Sequence, residues 1–150
     1  MAFPFPSNAF FGALRESMNE NVETFRKLGY FDCKFGIRVL ADDAEAKSYV
    51  LGFDVYECVD CREVEDLTSE NPDFVLEADA KVWREMFANI KANGGADAEH
   101  GINTLTHFGE GMRCLYDDPD GHDKMFRFAE SIQEFFNLAA RVDVDLQAAA

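Results

Sequence analysis

Apolar and polar residues follow two different periods in the stretch from Asp73 to Ile90. From Phe74 to Asp79 the apolar residues at every second position predict a strand with one buried face. After Asp79 the apolar residues recur at helical spacing, so they form one stripe along a helix over Ala80 to Ile90. Asp79 is placed to cap this helix, because its carboxylate can accept hydrogen bonds from the free N–H groups of the first turn. The stretch therefore predicts a strand that runs directly into a helix.

The same two periods predict the other elements of a single domain over residues 1–150. Helical spacing predicts an N-terminal helix from Ser7 to Leu28, ended by Gly29, and a closing helix from Lys124 to Ala140. Alternation predicts an antiparallel hairpin and a last strand, over residues 33–39, 49–55 and 112–116. Polar residues, proline and glycine predict loops over residues 60–72 and 92–101, and residues 142–150 are expected to fray. This order favours an α+β fold, with helices on one face of a mainly antiparallel sheet.

The composition restricts the class of protein. With 150 residues, of which 47% are hydrophobic, the chain can bury one sizeable core. Its formal charge of −15 would repel phosphate backbones and anionic lipid surfaces, so we expect no nucleic-acid partner. The sequence contains no apolar run of the roughly 18 residues that a membrane span requires, and its N-terminus lacks the basic flank of a secretory signal. We therefore expect a soluble, cytoplasmic protein with no membrane span.

No motif of a metal, cofactor or catalytic site stands out in the sequence. Cys58 and Cys61 have the spacing of a zinc or redox pair, but residues three apart in an extended segment face opposite sides. The acidic segment from Asp117 to Asp123 would place Tyr116 and Arg127 at ligand positions of a calcium loop, where neither is suitable. We interpret that segment as a solvated turn, and we expect no metal, no cofactor and no catalytic residue.

Five segments between Phe35 and Phe136 have a distinctive order and spacing. They are Phe35-Gly-Ile-Arg-Val39, Tyr49-Val-Leu-Gly-Phe-Asp54, Phe74-Val-Leu-Glu-Ala78 running into Val82-Trp-Arg-Glu-Met-Phe87, Gly111-Met-Arg-Cys-Leu-Tyr116, and Lys124-Met-Phe-Arg-Phe128 with Phe135-Phe136. This pattern, which spans about two thirds of the chain, resembles the sterol carrier protein type 2, or non-specific lipid-transfer, family. The resemblance implies a five-stranded sheet whose helices enclose an apolar tunnel for fatty acyl chains, acyl-CoA esters or sterols, which are bound without chemical change.

Two features of the sequence differ from the pattern of that family, whose members often have a lysine-rich final strand and no long N-terminal helix. Here Arg113 is the only cation of the last strand, and the helix from Ser7 to Leu28 is an addition. Because the phosphates of CoA require cations, we expect a neutral or weakly charged lipid or steroid as the ligand.

The 15 phenylalanines must either fill a solid core or line a hollow one, and the sequence leaves both open. Flexible methionine and flat aromatic side chains would suit an irregular apolar ligand. Together with the resemblance, this chemistry gives a set of candidate ligand-binding residues, which are Trp83, Met86, Phe87, Phe108, Met112, Phe126, Phe128, Ile132, Phe135 and Phe136.

Two other functions also fit the sequence. A small α+β barrel enzyme of the ketosteroid-isomerase or polyketide-cyclase type would pair an apolar cavity with a buried acid, such as Asp54, as the base. Such barrels end with several consecutive long strands, whereas helices interrupt this sheet, so the sequence favours a binding protein over an enzyme. The third hypothesis is a protein-interaction module or homodimer, in which a partner covers the N-terminal helix.

Overall fold

The centre of the molecule is a five-stranded sheet, in a computed structural model that describes residues 2–41, 45–107 and 111–146. The strands within these ranges are β1 (Phe3–Pro4), β2 (Cys33–Leu40), β3 (Lys47–Asp54), β4 (Glu57–Val64), β5 (Phe74–Asp79), β6 (Met112–Leu115) and β7 (Val144–Asp145). The sheet has the order β4-β3-β2-β5-β6, in which only the β2–β5 pair is parallel. The predicted α+β fold with a mainly antiparallel five-stranded sheet is therefore confirmed.

Helices cover one face of this sheet. In the described ranges they are α1 (Asn8–Glu20), α2 (Val22–Leu28), α3 (Ala80–Asn93), α4 (Ile102–His107), α5 (Pro119–Arg127) and α6 (Ala129–Asn137). Strand β5 runs directly into α3, as predicted, and Asp79 occupies the cap position although its side chain makes no capping hydrogen bond. Helix α3 ends where Gly94 adopts φ 77°, a left-handed conformation that suits glycine.

The strand register places aromatic and aliphatic side chains on the helix-covered face. Phe35 lies opposite Leu51 on one side and Phe74 on the other, and all three are buried. The opposite face contains a small apolar cluster of Val50, Leu67 and Val75. Because successive side chains of a strand point to opposite faces, the alternation in the sequence determined which residues enter the main core.

The face of the sheet away from the α-helices also holds a buried carboxylate between two guanidinium groups. Glu77 is 9% exposed, and one of its oxygens lies 2.8 Å from Nη1 of Arg38. Its other oxygen accepts a hydrogen bond from Arg113, whose strand β6 is the neighbour of β5. Removing either arginine would leave a partly buried charge less well compensated, so the three side chains join β2, β5 and β6.

The predicted N-terminal helix is interrupted at Asn21, so it forms α1 and α2 instead of one helix. Asn21 has φ −121° and ψ 41°, and its side-chain Nδ2 donates to the carbonyl of Ser17 at 2.6 Å. Asparagine side chains compete in this way with the hydrogen bonds of the helix backbone. The apolar stripe continues across the break, which explains why the period alone did not show it. Its buried residues are Phe10, Phe11, Leu14, Met18 and Phe25.

Strand β4 was predicted as a loop beyond position 59, and this prediction is wrong. A tight turn at Val55, where φ is 62°, returns the chain along β3. The ladder has an irregularity between Gly52 and Phe53, which pair with Asp60 and Cys58. β4 is an edge strand of the sheet, and edge strands commonly bear charged side chains that prevent further pairing. The acidic residues of β4 therefore made this strand resemble a polar loop in the sequence.

The C-terminal region also differs from the prediction. Val142 is buried, and β7 pairs in parallel with β1, so residues 142–146 do not fray. Residues 147–150 of the predicted frayed tail lie outside the described ranges. The predicted turn after Asp117 begins a helix, because the Asp118 side chain accepts from the backbone N–H of Asp120 and Pro119 starts α5. The predicted closing helix is thus divided between α5 and α6.

Helix α1 is attached to the edge strand β4 by side chains that bond to its backbone. The Asn19 Oδ1 accepts from the N–H of Cys58 at 2.9 Å, and the Asn19 Nδ2 donates to the Cys58 carbonyl at 3.1 Å. Arg15 adds bonds to the carbonyls of Cys58 and Val59. Asn19 thereby makes the two bonds that an adjacent strand would make.

We predict that Asn19→Ala lowers the free energy of unfolding by about 1–3 kcal/mol, because it leaves a backbone N–H of a partly buried strand without its protein partner. Urea denaturation of wild type and variant measures this difference. The control is Glu16→Ala on the exposed side of the same helix, which should change stability by less than about 0.5 kcal/mol. Equal effects of the two substitutions would contradict the role of Asn19.

The loop between α3 and α4 is organised around the carboxylate of Asp97. Its Oδ1 accepts from the backbone N–H groups of Glu99 and His100 and lies 2.7 Å from the His100 Nδ1. Its Oδ2 accepts from the Asn89 side chain at 2.9 Å, which ties the loop to α3. The bonds from His100 and then Asn89 hold the pKa of Asp97 below its usual range.

We predict that the stabilisation from Asp97 depends on pH. A lowered pKa in the folded state stabilises the protein above the pKa of the unfolded chain, and this contribution disappears as the pH falls through the folded pKa. Asp97→Asn should therefore be less stable than wild type at neutral pH, and the difference should shrink as the pH falls through the lowered pKa of Asp97, where the wild-type carboxylate becomes protonated. Urea midpoints across this range measure it, and a pH-independent difference would contradict the prediction.

Candidate functional site

The structure brings most of the predicted ligand-binding residues into one aromatic core. Eight of them are buried between the sheet and the helices, namely Trp83, Met86, Phe87, Met112, Phe128, Ile132, Phe135 and Phe136. Phe126 is 48% exposed and contacts the His122 ring. Phe108 lies outside the described residues. The helical and strand periods thus identified residues that meet in space, without showing which of them contact a ligand.

Aromatic rings in this core pack directly on one another. Phe136 contacts the rings of Trp83 at 5.8 Å and Phe87 at 5.9 Å, measured between centroids. Phe5 and Phe10 from the N-terminal segment contact Phe87 at 5.3 and 5.0 Å. These distances are those of favourable ring pairs. Side chains of the protein therefore occupy the space between these elements, and a ligand could pass among them only if rings moved apart.

An open groove lies above this core, where the end of α2, the start of α4 and the first turns of α6 meet. Its volume is about 480 Å³, which is within the range of small-molecule sites. Ile102 and Ala129 form an apolar floor, being 1% and 7% exposed, and Leu28 is 37% exposed beside them. The full lining consists of Leu28, Ala98, Gly101, Ile102, Asn103, Thr104, Ala129, Glu130, Gln133 and Glu134. We call this feature the α4–α6 groove.

Hydrogen bonds fix the walls of the α4–α6 groove. The Gln133 Oε1 on α6 accepts from the backbone N–H of Ile102 at 2.7 Å, and the Gln133 Nε2 donates to Asn137 at 3.0 Å. The same Asn137 oxygen accepts from the N–H of Ala96 at 3.1 Å. On the opposite wall, the Thr104 hydroxyl donates to the Ala98 carbonyl at 2.5 Å. Since these polar groups already bond to one another, the groove offers a ligand mainly apolar contacts and two carboxylates.

The groove could not be predicted from the sequence, because its walls come from segments that are distant along the chain. Ile102 belonged to none of the predicted elements, and Ala98 lay in the segment 92–101, which was predicted as a loop. Ala129 and Gln133 were placed on the closing helix, but no local pattern shows that Gln133 bonds to Ile102. Only the tertiary contact between α4 and α6 creates the groove.

The four cysteines are free thiols in the structure, and their surroundings suppress ionisation. Burial raises the pKa of Cys58 to about 12 and those of Cys61 and Cys114 to about 11. The irregular pairing places Cys58 opposite Phe53 and Cys61 opposite Leu51, so these two thiols occupy positions on the same face, contrary to the expectation for a regular strand. Among the described residues, no three His, Cys, Asp or Glu side chains are grouped to hold a metal ion.

The structure removes the basis of two alternative interpretations. Asp54, the hypothetical base of an isomerase, is an exposed residue at the end of β3 and is not enclosed in an apolar cavity. The apolar face of α1 is buried against its own chain, so it requires no partner to cover it. In the described parts of the chain, no helix has the length and apolarity to cross a bilayer.

Comparisons with known proteins found structures of similar fold but no match to a family model or a curated sequence. No protein-family model matches the chain, and no curated protein matches it. The solution structure of the conserved hypothetical protein TT1886 from Thermus thermophilus, described as a candidate sterol carrier protein, is similar with a TM-score of 0.68 and 18% identity. This similarity covers 96% of the present chain and 92% of TT1886.

A crystal structure of sterol carrier protein 2 is similar to the same extent. The TM-score is 0.67 and the identity 20%, over 91% of the present chain and 97% of that protein. The chain has the fold of sterol carrier protein 2.

Proposed function

We propose that this protein binds an apolar small molecule non-covalently and carries it through water. The observation that supports the proposal best is the α4–α6 groove, whose apolar floor of Ile102 and Ala129 lies above an aromatic core in a sterol carrier protein 2 fold. A fatty acyl, sterol or steroid-like ligand has the apolar surface that such a floor would bury. Asp54 is exposed, whereas an isomerase would use a buried acid as its base.

Apolar burial would supply most of the binding free energy. If the groove removes about 300 Å² of ligand surface from water, the gain is roughly 7 kcal/mol at about 25 cal/mol per Å². The loss of translational and rotational freedom opposes this gain, so we expect moderate affinity that rises with the apolar area of the ligand.

A longer ligand would extend from the groove into the aromatic core. Phe31 contacts Phe128 at 5.5 Å, and Phe53 contacts Phe135 at 5.1 Å, so a continuous ring network leads from α6 toward the sheet. We infer that separation of such rings would admit the end of an acyl chain or a steroid nucleus beside Ile132 and Phe136. Under this proposal the buried residues predicted from the sequence form the inner part of the site.

Trp83 permits a direct test, because it is the only tryptophan and is buried with its Nε1 donating to the Arg38 carbonyl at 3.3 Å. Native mass spectrometry should detect an apolar molecule that co-purifies with the protein. Titration with fatty alcohols and sterols should give saturable heat of binding, and a change in Trp83 emission would show that the ligand reaches the core. If no apolar molecule co-purifies and no added ligand binds, the carrier proposal is refuted.

We predict that filling the groove weakens binding. Ala129→Phe places a ring on the floor and Ala98→Phe places one on the rim, so each should lower affinity for a fatty alcohol at least about tenfold by displacing ligand surface. Isothermal titration calorimetry measures the affinity, and urea midpoints verify that each variant is folded. The control is Ala9→Phe, an exposed position on α1 outside the groove. Unchanged affinity in both folded groove variants would show that the ligand binds elsewhere.

A further inference from the structure

The charged groups of the α4–α6 groove are all acidic. Glu130 and Glu134 lie four residues apart on α6, so they occupy the same side of that helix, and both line the groove. The lining contains no lysine or arginine. Within the described ranges, neither carboxylate has a cation within ion-pair distance, and Glu134 accepts only a long hydrogen bond, 3.5 Å, from Asn137.

The local charge has the same sign as that of the whole chain, which is −15. A ligand that enters this groove with an anionic end would meet two carboxylates and a repulsive field. At the start of α6, the N–H of Phe128 bonds to the Lys124 carbonyl, and Glu130 already places a negative charge in the first turn of the helix.

We propose that the α4–α6 groove selects an amphiphile with a long apolar chain and a protonated amine at its polar end. The apolar part would cover Ile102 and Ala129, and the ammonium group would lie between the carboxylates of Glu130 and Glu134. This inference rests on the proposed function, and it adds the chemical class of the ligand. The same chain ending in a carboxylate or a phosphate would bind less tightly.

The expected selectivity follows from the exposure of the two glutamates. A single ion pair at a surface changes affinity by only about two- to fivefold. Two such groups that attract an ammonium and repel a carboxylate should separate these ligands by about tenfold or more. Because salt screens exposed charges, the ratio should decrease as ionic strength rises.

The test compares hexadecylamine, hexadecanol and hexadecanoate at neutral pH, where the amine is protonated and the acid ionised. Each is titrated into the full chain below the concentration at which it forms micelles, with displacement of a neutral fluorescent probe as the readout. We expect the affinity order amine, alcohol, carboxylate. In the double variant Glu130→Gln with Glu134→Gln, the amine-to-carboxylate ratio should fall to about twofold or less.

The control is Glu16→Gln with Glu20→Gln, which removes two charges at the same spacing on α1, away from the groove. If this control lowers the ratio as much as the groove variant, net charge and not Glu130 and Glu134 determines selectivity, and the proposal is overturned. Equal binding of the three ligands, or preference for the carboxylate, also overturns it but leaves the carrier function intact. Failure of all three to bind overturns this proposal, and it refutes the carrier function as well if sterols also fail to bind.

Discussion

The structure depends on the burial of one face of a twisted five-stranded sheet against aromatic side chains. Phe35, at the centre of this face, stacks on Phe53 and Phe74 with centroids 5.5 and 5.1 Å apart. The helices supply the opposing layer, in which Phe136 meets Phe35 edge to face at 6.3 Å. Each large ring removes an area of apolar surface from water that no single aliphatic side chain would match. The packing of these rings therefore holds the helical layer against the sheet.

The second face of the sheet is stabilised by a different interaction. Leu67 packs there against Val50 and Val75, close to Gly36, where an added Cβ would lie 2.7 Å from a Leu67 methyl carbon. Nearby, Glu77 is held between two arginines of neighbouring strands. These three charged groups add little net stability, because desolvation opposes their attraction, but they link three neighbouring strands. Most of the buried apolar surface thus lies on the helix-covered side of the sheet, which is also the side of the proposed ligand site.

The sequence predicted the elements with strong periods and failed where polar side chains bond to the backbone. β5 and α3 were located correctly because their apolar residues recur at periods that only a strand or a helix satisfies. The apolar pattern predicted one helix across Asn21, but the chain breaks there into α1 and α2. Strand β4 resembled a loop because its exposed edge is charged. The buried site candidates could be predicted as a group, since core residues share a face. The groove could not, because Ile102 and Gln133 meet only in the folded chain.

The packed core and the open groove have complementary consequences for a carrier. In the core, Phe5 and Phe10 already pack against Phe87, so these rings bury one another without the help of a ligand. The groove, by contrast, leaves apolar area at Leu28 in contact with water, and covering it is favourable for any molecule with a matching surface. Apolar contact alone discriminates poorly between ligands, since it has no direction. Under the proposed function, selectivity would therefore come from the charges that line the groove, which are the carboxylates of Glu130 and Glu134.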